Sequence, residues 1–177
     1  MSTFNEKSTQ ISNADATPPV RSDGFLAGGK LSSAIGSCAT GGSADGSGST
    51  YRLCRVPSSA RITRVEYQSD AMGGSAAVDI GVYWPTTIPA GAGLSPANDA
   101  AVISQALFGS ALSVVSAVKP TECTNESGNY TIAKQEQPLW QAAGLTADPG
   151  IDLDVVATST ADFAASGSLG IKVYYQK

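Results

Sequence analysis

Hydrophobic and polar positions alternate most regularly between residues 51 and 84, and this pattern predicts three β-strands joined by tight turns. The first strand covers residues 51–56 and ends at Pro57, and the second covers residues 61–68. In the third strand, apolar side chains occupy every second position from Val78 onward. This alternation predicts a half-buried strand, with one face in a core and the other in solvent.

The second of these strands departs from strict alternation. Ile62 lies on one face, whereas Val65 and Tyr67 lie on the other. A β-bulge near Arg64 would restore a single buried face, because one extra residue shifts the phase of every residue that follows it.

The C-terminal part of the chain repeats the strand pattern. Residues 151–157 and 169–175 each place apolar side chains on one face and polar side chains on the other. Weaker patterns predict a short first strand within residues 25–37 and another at residues 130–133, with a polar loop over residues 119–129.

Two segments have helical spacing instead. Asn98 is a suitable N-cap for a short helix over residues 99–108, and residues 139–143 form one helical turn that Gly144 would close. Taken together, the elements predict an all-β fold, a jelly-roll or β-sandwich of about eight short antiparallel strands with a short helix.

The N-terminal residues 1–24 are polar and show no periodicity, which is typical of an extended arm that is disordered on its own. It is either a loose terminus or an arm that orders on a neighbouring subunit, with Phe4 and Ile11 as anchors. The β-sandwich domain would then span residues 25–177. This terminus has no signal-peptide pattern, and no apolar run approaches the roughly 20 residues of a membrane span, so we expect no membrane partner.

Composition argues against catalysis. The sequence contains no histidine, which excludes histidine-based hydrolase triads and most zinc sites. Asp152 and Asp154 are close in sequence, but they lack a third ligand nearby and are better interpreted as solvent-facing strand positions. The Gly/Ser-rich loop over residues 40–50 lacks the lysine of a phosphate-binding loop. We therefore predict no enzyme activity, no catalytic residue, no bound metal and no cofactor.

Three cysteines, Cys38, Cys54 and Cys123, stand at wide spacings and form no CxxC motif. An odd number at such spacings argues against a disulfide framework and for a reducing compartment. Cys54 lies between arginines, which favour a thiolate, but no histidine can act as its base. We interpret it as a half-buried structural thiol.

Positive charge is concentrated in the first half of the chain. Residues 1–65 carry seven basic and four acidic side chains, whereas residues 66–177 carry four basic and eleven acidic ones. This asymmetry is too mild for a nucleic-acid-binding face.

Four of the five arginines, Arg52, Arg55, Arg61 and Arg64, fall on two predicted strands that we expect to be adjacent. They are either solvated positions that protect a sheet edge or a basic stripe that docks an acidic protein surface.

Several aromatic residues are candidates for interface anchors or carbohydrate platforms, namely Tyr67, Tyr83, Trp84, Trp140, Tyr174 and Tyr175. For Trp84 and Trp140, a position in the core is the preferred interpretation.

Three motifs resemble a known family. They are R-x-P-S-x-A-R-I from Arg55, D-A-x-G-x-S-x-x-x-D-I-G-V-Y from Asp70 and P-L-W-x-x-x-G-L-x-x-D-P from Pro138. The segment from Arg52 to Tyr175 resembles the capsid cement or decoration proteins that stabilise the heads of tailed double-stranded DNA bacteriophages. The first 50 residues lie outside the resemblance.

This resemblance implies a jelly-roll on the capsid exterior of the virion, made in the host cytoplasm and bound to the major capsid protein. It also implies self-association as a homodimer or homotrimer. The expected function is therefore a non-enzymatic virion protein that cements neighbouring capsid subunits. The alternative is a tail- or fibre-associated β-domain that recognises a host surface glycan. Arg52, Arg55, Arg61 and Arg64, with Phe4 and Ile11, are the candidate capsid contacts.

Overall fold

The structure is a computed structural model that describes residue 12 and residues 16–20, 29–42, 45–88 and 100–177. The chain divides into two compact units, Met1–Lys30 and Leu31–Lys177. All the elements described below belong to the second unit.

The second unit is built from short strands and two helices of one turn each. In chain order they are β1 (Leu31–Ala39), β2 (Thr50–Pro57), β3 (Arg61–Ser69), β4 (Ala77–Tyr83), β5 (Val102–Ser113), β6 (Val118–Glu122), α1 (Ile132–Gln135), α2 (Leu139–Ala142), β7 (Asp152–Ser159) and β8 (Ser168–Gln176). No helix among the described residues is long and apolar enough to cross a membrane.

Within the described residues, the eight strands form two antiparallel four-stranded sheets, ordered β1-β8-β3-β6 and β2-β7-β4-β5. Strands that follow each other in the chain mostly belong to opposite sheets, so most of their hydrogen-bonded partners are distant in sequence. This is the arrangement of a jelly-roll, and it confirms the predicted all-β fold class.

The core lies between the two sheets, and its central layer is aliphatic. It is formed by alternate residues of the central strands, which are Ile62, Val65, Val78, Ile80, Val82, Leu153, Val155, Ala157, Leu169, Ile171 and Val173. Because side chains of a strand alternate between its two faces, each strand contributes one face to this layer.

Strand β3 contains the predicted bulge. Its register against β8 shifts between Ile62 and Arg64, so that Ile62 and Val65 both point into the core. The extra residue thus reconciles the apolar phases of the two halves of the strand.

Strand β4 is buried on both faces, which differs from the predicted half-buried strand. Its outer face includes Asp79 and Gly81, and β5 lies against that face at Gly81. A Cβ atom added at Gly81 would lie 2.0 Å from the carbonyl oxygen of Ser104 and 2.1 Å from that of Gln105. Only glycine permits this close approach of two backbones.

The prediction of a helix over residues 99–108 is wrong for the described part of this segment, because residues 102–113 form strand β5. The register of β5 against β4 breaks between Ser104 and Gly109, where four residues of β5 face only one residue of β4. Leu107 and Phe108 are consequently both buried although they are neighbours in sequence. Because neighbouring residues of this irregular strand are buried, its apolar positions have the spacing expected of a helix.

Asp79 holds the irregular part of β5 in place. Its carboxylate accepts a hydrogen bond from the side-chain amide of Gln105 at 2.9 Å and one from the backbone N–H of Ala111 at 2.8 Å. Ala111 has a φ of 50°, a left-handed conformation that is costly for alanine. The carboxylate therefore stabilises a strained position of the backbone.

Other predicted boundaries need correction. Residues 130–133 are not a strand, because the helical turn α1 begins at Ile132. Tyr130 is a core residue, and its hydroxyl donates a hydrogen bond to the carbonyl oxygen of Ile62. The predicted loop over residues 119–129 contains most of β6. The helical turn at residues 139–143 is confirmed as α2, and Gly144 follows it with a φ of 95°.

Replacing Gly81 by alanine tests the close approach of β4 and β5. We expect Gly81→Ala to lower the free energy of unfolding by about 3 kcal/mol, because backbone atoms must move to accept the methyl group. Gly46→Ala is the matched control, since its added Cβ would meet only Asp162 at 3.5 Å. Urea denaturation of both variants measures the difference, and equal stability would contradict this account of the packing.

Candidate functional site

The four candidate arginines do not form one stripe. Arg52 and Arg55 lie on β2, which pairs with β7, whereas Arg61 and Arg64 lie on β3, which pairs with β8 and β6. The prediction that their strands are adjacent is therefore wrong. The turn after Pro57 carries the chain from one sheet to the other instead of closing a hairpin.

On β2, two arginines share one buried carboxylate. Arg52 Nη1 lies 2.7 Å from Asp154 Oδ2, and Arg55 Nε lies 2.6 Å from Asp154 Oδ1. The side chain of Asp154 on β7 is only 4% exposed. Such burial is tolerable because the charge has two charged donors close to it.

This result corrects the interpretation of Asp154 as a solvent-facing strand position. Asp152, two residues earlier, is exposed as expected. Strand β7 is buried on both faces, so the polar position at Asp154 requires partners from β2. No group of three or more metal-binding side chains occurs within the described residues.

Arg52 is mainly a structural residue. Its guanidinium also donates to the carbonyl oxygens of Trp84 at 2.8 Å and Ala100 at 3.0 Å, and it lies 5.8 Å from the centre of the Tyr83 ring. Its side chain is only 22% exposed. Arg52 therefore ties β2 to the ends of β4 and β7, and few of its donors face solvent.

Arg55 has a different position. Its side chain is 53% exposed, and its Nε–H donates a hydrogen bond to Asp154 Oδ1. It borders an open hollow of about 350 Å³ whose other lining residues include Cys54 and Thr86. Among the described residues that line it, two arginines and one carboxylate give a net positive charge. The terminal nitrogens of Arg55 are suited to a carboxylate of a partner.

On β3, the charges are balanced. Arg64 lies 2.8 Å from Glu66 and 3.6 Å from Glu122, and its side chain is 51% exposed. On the neighbouring strand β8, the ammonium of Lys172 lies 4.6 Å from the centre of the Tyr174 ring. The outer face of this sheet is thus a mixed-charge surface rather than a basic one.

Of the remaining candidate capsid contacts, the structure describes Arg61 but not Phe4 or Ile11. Arg61 donates its Nε–H to the carbonyl oxygen of Glu136 at 2.9 Å, beside α1. Phe4 and Ile11 lie outside the described residues.

The cysteine on β2 is a structural thiol, as predicted. Burial raises the pKa of Cys54 to about 12, and the nearby carboxylate of Asp154 acts in the same direction. Burial likewise raises the pKa of Cys123 to about 12. Both thiols stay protonated near neutral pH, so neither is an activated nucleophile. The three cysteines are free.

The candidate aromatic platforms are largely withdrawn from solvent. Tyr67, Tyr83 and Trp84 are buried, and Lys172 lies over the ring of Tyr174. Trp84 is a core residue, as predicted, whereas Trp140 is only partly buried. Tyr67, Tyr83 and Trp84 are therefore too buried to offer a ring face to a glycan.

Sequence reasoning missed the importance of two residues. Thr158 on β7 forms a buried 2.6 Å hydrogen bond with the hydroxyl of Tyr83, and Asp79 holds β5. The signal available in the sequence was a polar residue inside an otherwise apolar strand. Such residues are buried only when they are paired.

Replacing Asp154 by asparagine tests the shared carboxylate. We expect Asp154→Asn to lower the free energy of unfolding by about 3 kcal/mol, because Arg52 and Arg55 then lose the carboxylate that they share. The exposed Asp152→Asn on the same strand is the control and should unfold at the wild-type denaturant concentration. A wild-type midpoint for Asp154→Asn would show that the ion pairs contribute nothing to stability.

Comparison with known proteins gives structural matches only. No protein-family model matches the chain, and no curated protein matches it in sequence. Among solved structures, the chain is similar to one in the capsid asymmetric unit of cyanophage Pam1, with a TM-score of 0.54 and 20% identity over 99% of both chains.

A second similar chain comes from the acid-stable capsid of the Helicobacter pylori bacteriophage KHP30. It has a TM-score of 0.32 and 13% identity over 84% of this chain and 92% of that one. The expected resemblance to a phage capsid structure is found in the Pam1 match, which shows a shared fold.

Proposed function

We propose that this chain is a non-enzymatic structural protein of a bacteriophage virion, which binds the outside of the head and cements neighbouring subunits of the major capsid protein. The observation that carries the proposal is the match along 99% of both chains to a chain from a phage capsid asymmetric unit. The sequence motifs that resemble cement proteins support it independently. The absence of histidine and the protonated thiols agree with a role without catalysis.

The exposed arginines are the proposed contacts to the capsid. The side chains of Arg55 and Arg64 are each about half exposed, and Arg64 also lies against Glu66 and Glu122. Each exposed ion pair with a capsid carboxylate would contribute at most about 1 kcal/mol. A cement protein repeats such weak contacts over a symmetric lattice, so many of them together hold it firmly. Arg52 and Arg61 complete the proposed set, with a smaller share because they are less exposed than Arg55 and Arg64.

The N-terminal residues 1–24 are proposed to extend the contact. A polar segment can order when it meets a partner, and Phe4 and Ile11 would supply its apolar anchors. The partners are the major capsid protein and other copies of the chain, as a homodimer or homotrimer.

Removing the chain from heads of the phage that encodes it tests the reinforcing role. Stripped heads should release DNA at a lower temperature than complete heads, and added purified chain should restore the higher temperature. The reason is that each bound copy bridges subunits that internal pressure pushes apart. Release of DNA is followed with an intercalating dye during heating. Equal heat resistance of stripped and complete heads would refute the cementing role.

Substitutions of the two exposed arginines test the contact surface. We expect Arg55→Ala and Arg64→Ala each to weaken binding to stripped heads by up to about fivefold, an effect that shrinks as salt is added. Arg55→Lys keeps the charge but loses the planar fork, and it should bind with intermediate strength.

Lys119→Ala is the control for these arginine variants, because it removes an exposed positive charge that is not among the proposed capsid contacts. Binding is measured by cosedimentation at low and moderate salt. Wild-type binding by the arginine variants at low salt would place the capsid contact elsewhere on the chain.

A further inference from the structure

Within the described residues, each sheet ends in two strands whose outer edges pair with no further strand. These edge strands are β1 and β6 in one sheet and β2 and β5 in the other. Soluble proteins protect such edges with charges, prolines, bulges or short strands. Here the four edges are protected very unequally.

Three of the edges carry protection. Strand β6 has only five residues and includes Lys119 and Pro120. Strand β2 carries Arg52 and Arg55, and its register against β7 is interrupted after Arg52. Strand β5 is interrupted at three places in its register against β4. None of these edges offers a long and regular row of backbone donors and acceptors.

Strand β1 has no such protection. It is nine residues long, and its register against β8 is unbroken from Leu31 opposite Gln176 to Ala39 opposite Ser168. Its sequence, LSSAIGSCA, contains no charged residue and no proline. Among the described residues, no backbone hydrogen bond reaches its outer edge from outside its own sheet.

The outward face of β1 is also unusually apolar. Leu31 is 59% exposed and Ile35 is 69% exposed. The inward face meets β2, because a Cβ atom at Gly36 would collide with the carbonyl group of Leu53. Strand β2 thus lies beneath β1 on the core side and leaves the lateral edge of β1 open.

The residues of β1 are complementary to themselves. The outward positions are Leu31, Ser33, Ile35, Ser37 and Ala39. From either end, their order is apolar, serine, apolar, serine, apolar. In an antiparallel pair centred on Ile35, Leu31 faces Ala39, Ser33 faces Ser37, and Ile35 faces its own copy. Apolar residues then meet apolar residues and serines meet serines, which are favourable cross-strand neighbours.

We propose that β1 is a strand-addition surface for a second copy of this chain. Two β1 strands would pair antiparallel about a two-fold axis at Ile35, joining two four-stranded sheets into one continuous sheet. Such a contact uses the same surface on both copies and closes as a dimer. It does not depend on the capsid role, because it follows from the edge strand alone.

Analytical ultracentrifugation of the purified full-length chain tests the pairing. The wild-type protein should sediment as a dimer of twice 17.9 kDa at the higher end of a dilution series. Ile35→Lys should weaken the dimer at least about tenfold, because two ammonium groups then face each other across the axis.

Ile132→Lys is the matched control, since Ile132 is also a highly exposed isoleucine but lies on α1. It should dimerise like the wild-type protein. Far-UV circular dichroism and thermal melting verify that both variants are folded. A monomeric wild-type protein, a trimer, or a dimer that Ile35→Lys does not weaken would each overturn the proposal.

A cross-link gives a second and independent measurement. Ile35→Cys in a Cys38→Ser background places two thiols opposite each other at the axis, and mild oxidation should join the two copies. Ile132→Cys in the same background should remain uncross-linked. Equal cross-linking of the two variants would also overturn the proposal.

Discussion

The stability of the fold depends on partners for the polar side chains of two strands that are buried on both faces. Strands β4 and β7 are neighbours in the middle of one sheet, and they carry Asp79, Asp154 and Thr158 into the interior. A buried polar group without a partner costs as much as several good contacts gain. The partners come from around the sheet, with Gln105 and Ala111 from β5 and the arginines from β2.

This pairing explains why the two arginines of β2 have different roles. Arg52 is drawn over the sheet by Asp154 and by the carbonyls that follow β4. Arg55 uses one nitrogen for the same carboxylate and extends into solvent. The surface that we propose to meet a capsid is therefore oriented by a carboxylate that also stabilises the domain. A change at Asp154 would alter both the stability of the domain and the direction of Arg55.

The sequence predicted what depends on neighbouring residues and missed what depends on distant ones. Alternation located β2, β3 and β8, and the phase shift at Ile62 located the bulge near Arg64. The same local reasoning placed β2 beside β3, but in a jelly-roll these strands belong to different sheets. It also assigned a helix to β5, because an irregular register buries adjacent residues. The burial of Asp154 depended on β2, about a hundred residues away.

The first strand of the domain pairs with the last. Within the part of the chain that the structure describes, β1 pairs with β8 alone, over nine residues from Leu31 to Ala39. A ribosome delivers β1 before β8, so the sheet that contains β1 cannot close until synthesis has passed β8. Contacts between such distant segments form slowly, since a long loop must be closed before they are gained. During synthesis β1 is therefore an uncharged strand with both edges open, which makes it the segment most in need of protection from aggregation.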